Sequence, residues 1–142
     1  MTEGSSVRLI REMLGQAARA AASGQLDGWL EFFSEEIEWG RSRTPLTPAP
    51  TRGHAGIRGY LEDWISTVDG IHWEIGEMTE VGDSGVVADT RVRARVKGTD
   101  SEMLFDYSQA FWIADGKITR IKEFREHDEA LAYAEASERA SS

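Results

Sequence analysis

The spacing of apolar residues changes once along this chain, and the change divides it into two kinds of structure. Val7, Ile10, Leu14, Ala17, Ala18 and Ala21 recur at helical intervals. They predict an amphipathic helix with one stripe turned to a core. Gly24 ends it, because glycine accepts the left-handed conformation that closes a helix. A short second helix follows, with Leu26, Trp29, Leu30 and Phe33 inward, and Ile37 to Arg41 then alternates as a strand. Ile57, Tyr60, Leu61, Trp64 and Ile65 stand at i, i+3, i+4, i+7 and i+8, a third helix with a single apolar face.

After Gly70 the period becomes two. Ile71, Trp73 and Ile75 alternate with polar partners, and Gly82 to Gly85 is a turn. Val86 to Val96 predicts a strand with Thr90, Val92, Ala94 and Val96 on one face and Asp89, Arg91, Arg93 and Arg95 on the other. Met103, Phe105, Tyr107, Gln109, Phe111 and Ile113 share one face of a long strand. Asp115–Gly116 is a hairpin turn leading to a last strand, Lys117 to Arg125, and residues 128–138 predict a short helix. Helices followed by antiparallel strands give an α+β class. A strongly curved antiparallel sheet wrapped on three N-terminal helices buries every apolar face and leaves a conical cavity at one end. One domain over residues 1–142 is expected, with residues 1–5 and 136–142 frayed.

The residues from 42 to 53 hold all three prolines, Pro45, Pro48 and Pro50. Proline lacks the donor a ladder needs, so this stretch is neither helix nor central strand. A loop of this length is either a lid over a site or a plain surface excursion.

Composition narrows the function classes. The 142 residues carry a formal charge of −9, and a field of that sign repels phosphate backbones, so nucleic-acid binding is not expected. There is no cysteine. That removes disulfides, thiolate nucleophiles and zinc–thiolate sites, and fits a reducing, cytoplasmic compartment. No stretch approaches the length of a membrane span, and the first residues do not resemble a signal peptide. His54, His72 and His127 show no metal-ligand spacing, so no metal and no cofactor are expected. Nor is there a phosphate-binding glycine loop or a nucleophile elbow.

Three separated stretches, SGQLDGWLEFFSEEIEWG, RGHAGIRGYLEDW and FWIADGKITRIKEF, resemble the nuclear transport factor 2-like superfamily, and within it the SnoaL-like small-molecule proteins related to ketosteroid isomerase. The resemblance runs from about residue 7 to residue 133. It implies the cone-shaped fold, and with it an enclosed apolar pocket. It does not fix an activity, because that superfamily holds isomerases, cyclases, hydrolases, dehydratases and proteins that only bind. The isomerase's catalytic carboxylate falls at Arg41, its oxyanion tyrosine at Ala17 and its protonated aspartate at Gln109, so none of the three groups is retained. The dehydratases' His–Asp pair has no evident counterpart inside the cone. Asp89 and Arg91 have the spacing of the hydrolases' pair but sit on the outward parity of their strand.

By the same resemblance Trp39, Arg41, Tyr60, Trp64, Tyr107, Gln109, Phe111, Ile121 and Glu123 line the pocket, with His54 at its mouth. Glu123 is the candidate base, since an apolar surround raises a carboxyl's pKa toward working pH. Gln109 and Tyr107 are candidate oxyanion donors, and Arg41 an anchor for an anionic group. Each has a plainer alternative: core packing for Phe111 and Ile121, solvent and a pairing with Lys122 or Arg125 for Glu123, a rim ion pair with Glu38 for Arg41, and a surface position for His54. The expected function is proton transfer, isomerisation or cyclisation, on an apolar carbonyl or polyketide-like molecule; the alternatives are a binding or sequestering protein with the same pocket and an interaction protein whose pocket is filled. The outward row of Arg91, Arg93 and Trp112 is expected to form a homodimer interface.

Overall fold

In the computed structural model the described residues are 4–41, 51–82 and 84–141, excluding the side chains of Arg41, Trp64 and residues 138–141. Of the stretch 42–53 expected to be a loop, residues 42–50 with all three prolines lie outside the described residues, while Thr51–Arg52 form a short edge strand and Gly53 opens a helix. The elements in order are α1 (Ser5–Ser23), α2 (Asp27–Leu30), β1 (Phe33–Arg41), β2 (Thr51–Arg52), α3 (Gly53–Thr67), β3 (Val68–Val81), β4 (Gly85–Val96), β5 (Glu102–Ala114), β6 (Lys117–Phe124) and α4 (His127–Ser141). Helix α1 ends as its sequence requires. Gly24 takes φ 77°, and its N–H donates to the Ala20 carbonyl at 2.8 Å.

The strands form one open six-stranded sheet in the order β2-β1-β6-β5-β4-β3. Every pairing is antiparallel except β1 with β6, which is parallel, so the all-antiparallel expectation needs that correction. The physical reason is that α3 and β3 to β5 intervene between β1 and β6, a connection long enough to return the chain in the same direction. The register of β3 against β4 slips twice, between Asp69 and His72 and between Ile75 and Met78. Each extra residue bends and twists the ladder, which turns a flat sheet into a cone. Gly70, at φ 64°, supplies the left-handed conformation at the first slip.

The concave side packs on α1, α2 and α3. Its core includes Ile10 and Met13 of α1, Leu30 of α2, Ile57 and Leu61 of α3, and Phe33, Ile37, Val86, Phe111 and Ile121 of the sheet. The convex side is covered in part by α4, whose Ala130 and Ala134 close on Val87, Ala110 and Phe124. This helix runs to Ser141, through residues read in the sequence as a fraying tail. Its alanines and glutamates are strong helix formers. Among the described residues no helix is long and apolar enough to cross a membrane.

Phe111 and its cross-strand partner Ile121 are 1% and 0% exposed, at the centre of the concave core. Replacing Phe111 with alanine is expected to cost about 3–5 kcal/mol of unfolding free energy, measured by urea denaturation. A loss below about 1 kcal/mol would place the ring outside the packed core.

Candidate ligand pocket

Between the helices and the concave face, beyond the core, a cavity of about 440 Å³ remains. Helix α1 contributes Met13, Leu14 and Ala17 to its wall, α2 contributes Trp29, and α3 contributes Tyr60 and Leu61. From the sheet come Trp39 of β1, Ile71 and Trp73 of β3, Val92 of β4 and the row Phe105, Tyr107 and Gln109 of β5, with Asp106 at the edge and Glu123 from β6. The wall is mostly aromatic and aliphatic with a few polar groups, the usual character of a small-molecule site. Trp39 stacks obliquely on Tyr60 with ring centres 5.1 Å apart, which fixes the indole against α3.

The polar groups form one connected chain. The Glu123 Oε2 oxygen accepts hydrogen bonds from the Trp39 indole N–H at 3.1 Å and from the Gln109 amide N–H at 3.0 Å. The Thr90 hydroxyl donates to the other end of the Gln109 amide, Oε1, at 3.3 Å. Thr90 and Gln109 are 3% and 2% exposed, so each of these groups needs its partner. Strand geometry makes the chain possible. Thr90 lies on the inward parity of β4, and Gln109 stands directly across the β5–β6 ladder from Glu123.

The residues expected at the site separate into three groups. Glu123, Gln109, Tyr107, Trp39 and Tyr60 converge on the cavity wall. Phe111, Ile121 and His54 do not. Phe111 and Ile121 share the inward parity but are fully buried among the concave core residues, so they fill core. His54 opens α3 on the far side of β1, where its Nε2 pairs with the Phe33 carbonyl oxygen at 2.9 Å and its neighbours are Asp27, Glu31 and Arg58. The turn into α3 points that ring at β1 backbone instead of the cavity mouth. Arg41 pairs by backbone with Glu123 at the end of β1, and its side chain, like that of Trp64, lies outside the described residues. Glu38, the alternative partner for Arg41, has its carboxylate 3.5 Å from Arg52.

The structure adds groups that the sequence did not single out for the pocket. Trp29 and Trp73 were legible as inward residues but not as cavity wall, and Met13 was not among the residues that the helical spacing assigned to the inward stripe of α1. A His–Asp pair is present, but on the convex side: His127 Nδ1 lies 2.8 Å from Asp89 Oδ1, which also accepts from the Ser108 hydroxyl at 2.5 Å. His127 Nε2 lies 3.2 Å from Glu77 Oε2. The partners are far apart in the chain, and no local spacing announces them. Arg91, beside Asp89, forms an exposed ion pair with Asp106 at 2.7 Å, which raises the Arg91 pKa and lowers that of Asp106. Among the described residues no group of three or more histidines and acids is placed to hold a metal ion.

Trp112 departs from its expected place in an open interface. It is half-buried beneath α4, edge-on to Tyr133 with ring centres 5.9 Å apart, and the Arg120 guanidinium lies over it at 4.9 Å. Helix α4, docking through its alanine face, takes the position that a partner subunit was expected to occupy. Arg120 also donates to the Tyr133 hydroxyl at 2.6 Å. Burial raises the pKa of that phenol, but Arg120 and Lys122 together outweigh it and hold it below its ordinary value.

Comparison with known proteins agrees with this geometry. No curated protein matches the chain. Among solved structures, a nuclear transport factor 2-like protein from Burkholderia xenovorans LB400 is 26% identical, with a TM-score of 0.67 over 94% of this chain and 98% of that one. RV0760c from Mycobacterium tuberculosis, in complex with estradiol-17beta-hemisuccinate, is 10% identical, with a TM-score of 0.70 over 89% and 97%. TerC, co-crystallised with polyporic acid, is 18% identical, with a TM-score of 0.67 over 93% and 99%. The family model of the SnoaL-like domain matches residues 14–121, from the second half of α1 to the middle of β6, and the chain therefore belongs to the SnoaL-like domain family.

Proposed function

We propose that this protein is a cytoplasmic enzyme that binds a small apolar carbonyl compound in the cavity and moves a proton on it, with Glu123 as the base. The observation that carries the reading is a carboxylate at an aromatic cavity wall, oriented by two N–H donors. In the reaction, Glu123 takes a proton from the carbon next to the carbonyl, and the electron pair moves to the carbonyl oxygen. Return of that proton to another carbon gives an isomer. Attack of the enolate carbon on a second carbonyl of the same molecule forms a carbon–carbon bond and an alkoxide, which takes the proton back from Glu123 to give a ring bearing a hydroxyl. Neither route uses a cofactor. Gln109 positions Glu123 through one amide N–H, its oxygen being held by Thr90, and offers its second N–H, with Tyr107, to the oxyanion. Tyr107, two residues away on the same face, supplies the other hydrogen bond to the developing oxyanion. Trp39 and Tyr60 hold the apolar body of the substrate.

The alternative is a protein that binds or sequesters such a ligand without chemistry. One observation favours it: the Glu123 Oε2 oxygen is already occupied by two donors of the protein itself. The ligands held by RV0760c and TerC support small-molecule binding under either reading.

Deuterium exchange at the acidic carbon of 2-tetralone in D2O, followed by proton NMR, tests the choice. The protein is expected to accelerate exchange, and Glu123→Gln to reduce that acceleration by about 100-fold or more while changing the Kd for 2-tetralone little. Full activity in Glu123→Gln eliminates Glu123 as base. Binding without any acceleration in the wild type selects the non-catalytic alternative.

The reading includes a homodimer through the part of the convex face that α4 leaves open. There Arg91 and Arg93 stand beside Leu104, which is 52% exposed, an apolar side chain among charges. Sedimentation equilibrium at micromolar concentration should give twice the chain mass, and a monomer mass excludes the dimer.

A further inference from the structure

Trp29 is 2% exposed and its ring forms part of the cavity wall. Its indole nitrogen Nε1 is buried with no hydrogen-bond partner, and among the described residues no other buried side-chain nitrogen or oxygen is in that position. Folded proteins rarely leave such a donor unpaired, because the bond it made to water in the unfolded chain is lost without replacement. The contrast with Trp39 is instructive. Both indoles belong to the same wall, and both pack against Phe33, Trp29 edge-on at 4.9 Å and Trp39 at 6.5 Å. The Trp39 N–H is used on Glu123, whereas the Trp29 N–H has no acceptor among the described residues.

We propose that the Trp29 N–H is a ligand anchor, completed by an oxygen acceptor of the bound molecule: a carbonyl, ester or ether oxygen. The inference rests on the reading of the cavity as the ligand site and narrows the ligand class. The ligand has an apolar body, an acceptor oxygen for Trp29, and an acidic C–H or a hydroxyl for the acceptor Glu123. The nitrogen itself lies beneath the cavity wall, and a turn of the indole ring brings its N–H to the ligand oxygen. A hydrocarbon of the same shape fills the cavity equally well but leaves the N–H unpaired. A site with a waiting donor therefore discriminates between the two.

The test compares 2-tetralone with tetralin, the same bicycle without the oxygen, as ligands of the wild type and of Trp29→Phe. Titration calorimetry measures the affinities. The wild type is expected to prefer the ketone, and Trp29→Phe to lose roughly 3- to 10-fold of that preference with its tetralin affinity little changed. In proton–nitrogen NMR spectra the Trp29 indole resonance should move downfield with 2-tetralone and not with tetralin. If Trp29→Phe does not fold, the wild-type resonance, assigned through the backbone, decides alone. Equal loss for both probes, or an indole resonance that responds alike to both, overturns the anchor and leaves the pocket reading intact. Binding of neither probe overturns both.

Discussion

The pairing of β5 with β6 begins at a two-residue turn, Asp115 and Gly116, at φ 53° and 74°. Two consecutive positive φ angles match the twist of a hairpin, and they set Ala114 opposite Lys117 and Ile113 opposite Ile118. One step further the register slips, and Trp112 faces Arg120. Thr119 is the extra residue, and its hydroxyl donates to the Trp112 carbonyl at 3.2 Å. The pocket depends on this single bulge. A strand's side chains alternate, so a ladder without the bulge would set Gln109 against Lys122 and turn Glu123 to the convex face. With it, Ile118, Ile121 and Glu123 face inward, while Arg120, Lys122 and Phe124 face α4.

That switch of parity also serves the outer side. Phe124 becomes available to α4, where it packs with Ala130, Ala134 and Tyr133, ring centres of Phe124 and Tyr133 lying 5.4 Å apart. Arg120 and Lys122 meet the Tyr133 ring from the same face. Where α4 lies the sheet is thus buried on both sides, and toward the β4–β5 connection Leu104 is exposed. Large side chains such as Phe33, Phe111 and Ile121 fill part of the concave face, and the cavity is enclosed by α1, α2, α3 and the inward residues of β1 and β3 to β6. A polar network is tolerable there because each buried member has a partner: Thr90 with Gln109, Gln109 with Glu123, Glu123 with Trp39.

Much of this was legible from the residues. The change of period after Gly70, the stop at Gly24 and the Asp115–Gly116 turn are local properties, written in neighbouring side chains and backbone preferences. Inward parity was equally local, which is why Thr90, Val92, Tyr107 and Gln109 could be assigned to one face of their strands. Parity does not say where along a face the helices press close and where they stand off. Phe111 and Ile121 therefore packed as core although their alternation matches that of Gln109 and Glu123. His54 turned to the Phe33 carbonyl for the same reason: the angle at which a helix enters is set by what it packs on.

What the sequence by itself determined is the set of elements, their amphipathic faces and the chemistry available on each. The tertiary structure alone decided which of those groups meet. The Trp39–Glu123 bond joins residues 84 apart in the chain, and the His127–Asp89 pair joins residues 38 apart. Neither distance follows from local spacing, because each depends on sheet order and on bulges that shift the register by one residue. The unpaired Trp29 N–H is the limiting case. Being inward is a property of α2's pattern, but lacking a partner depends on every atom that the rest of the fold brings near it.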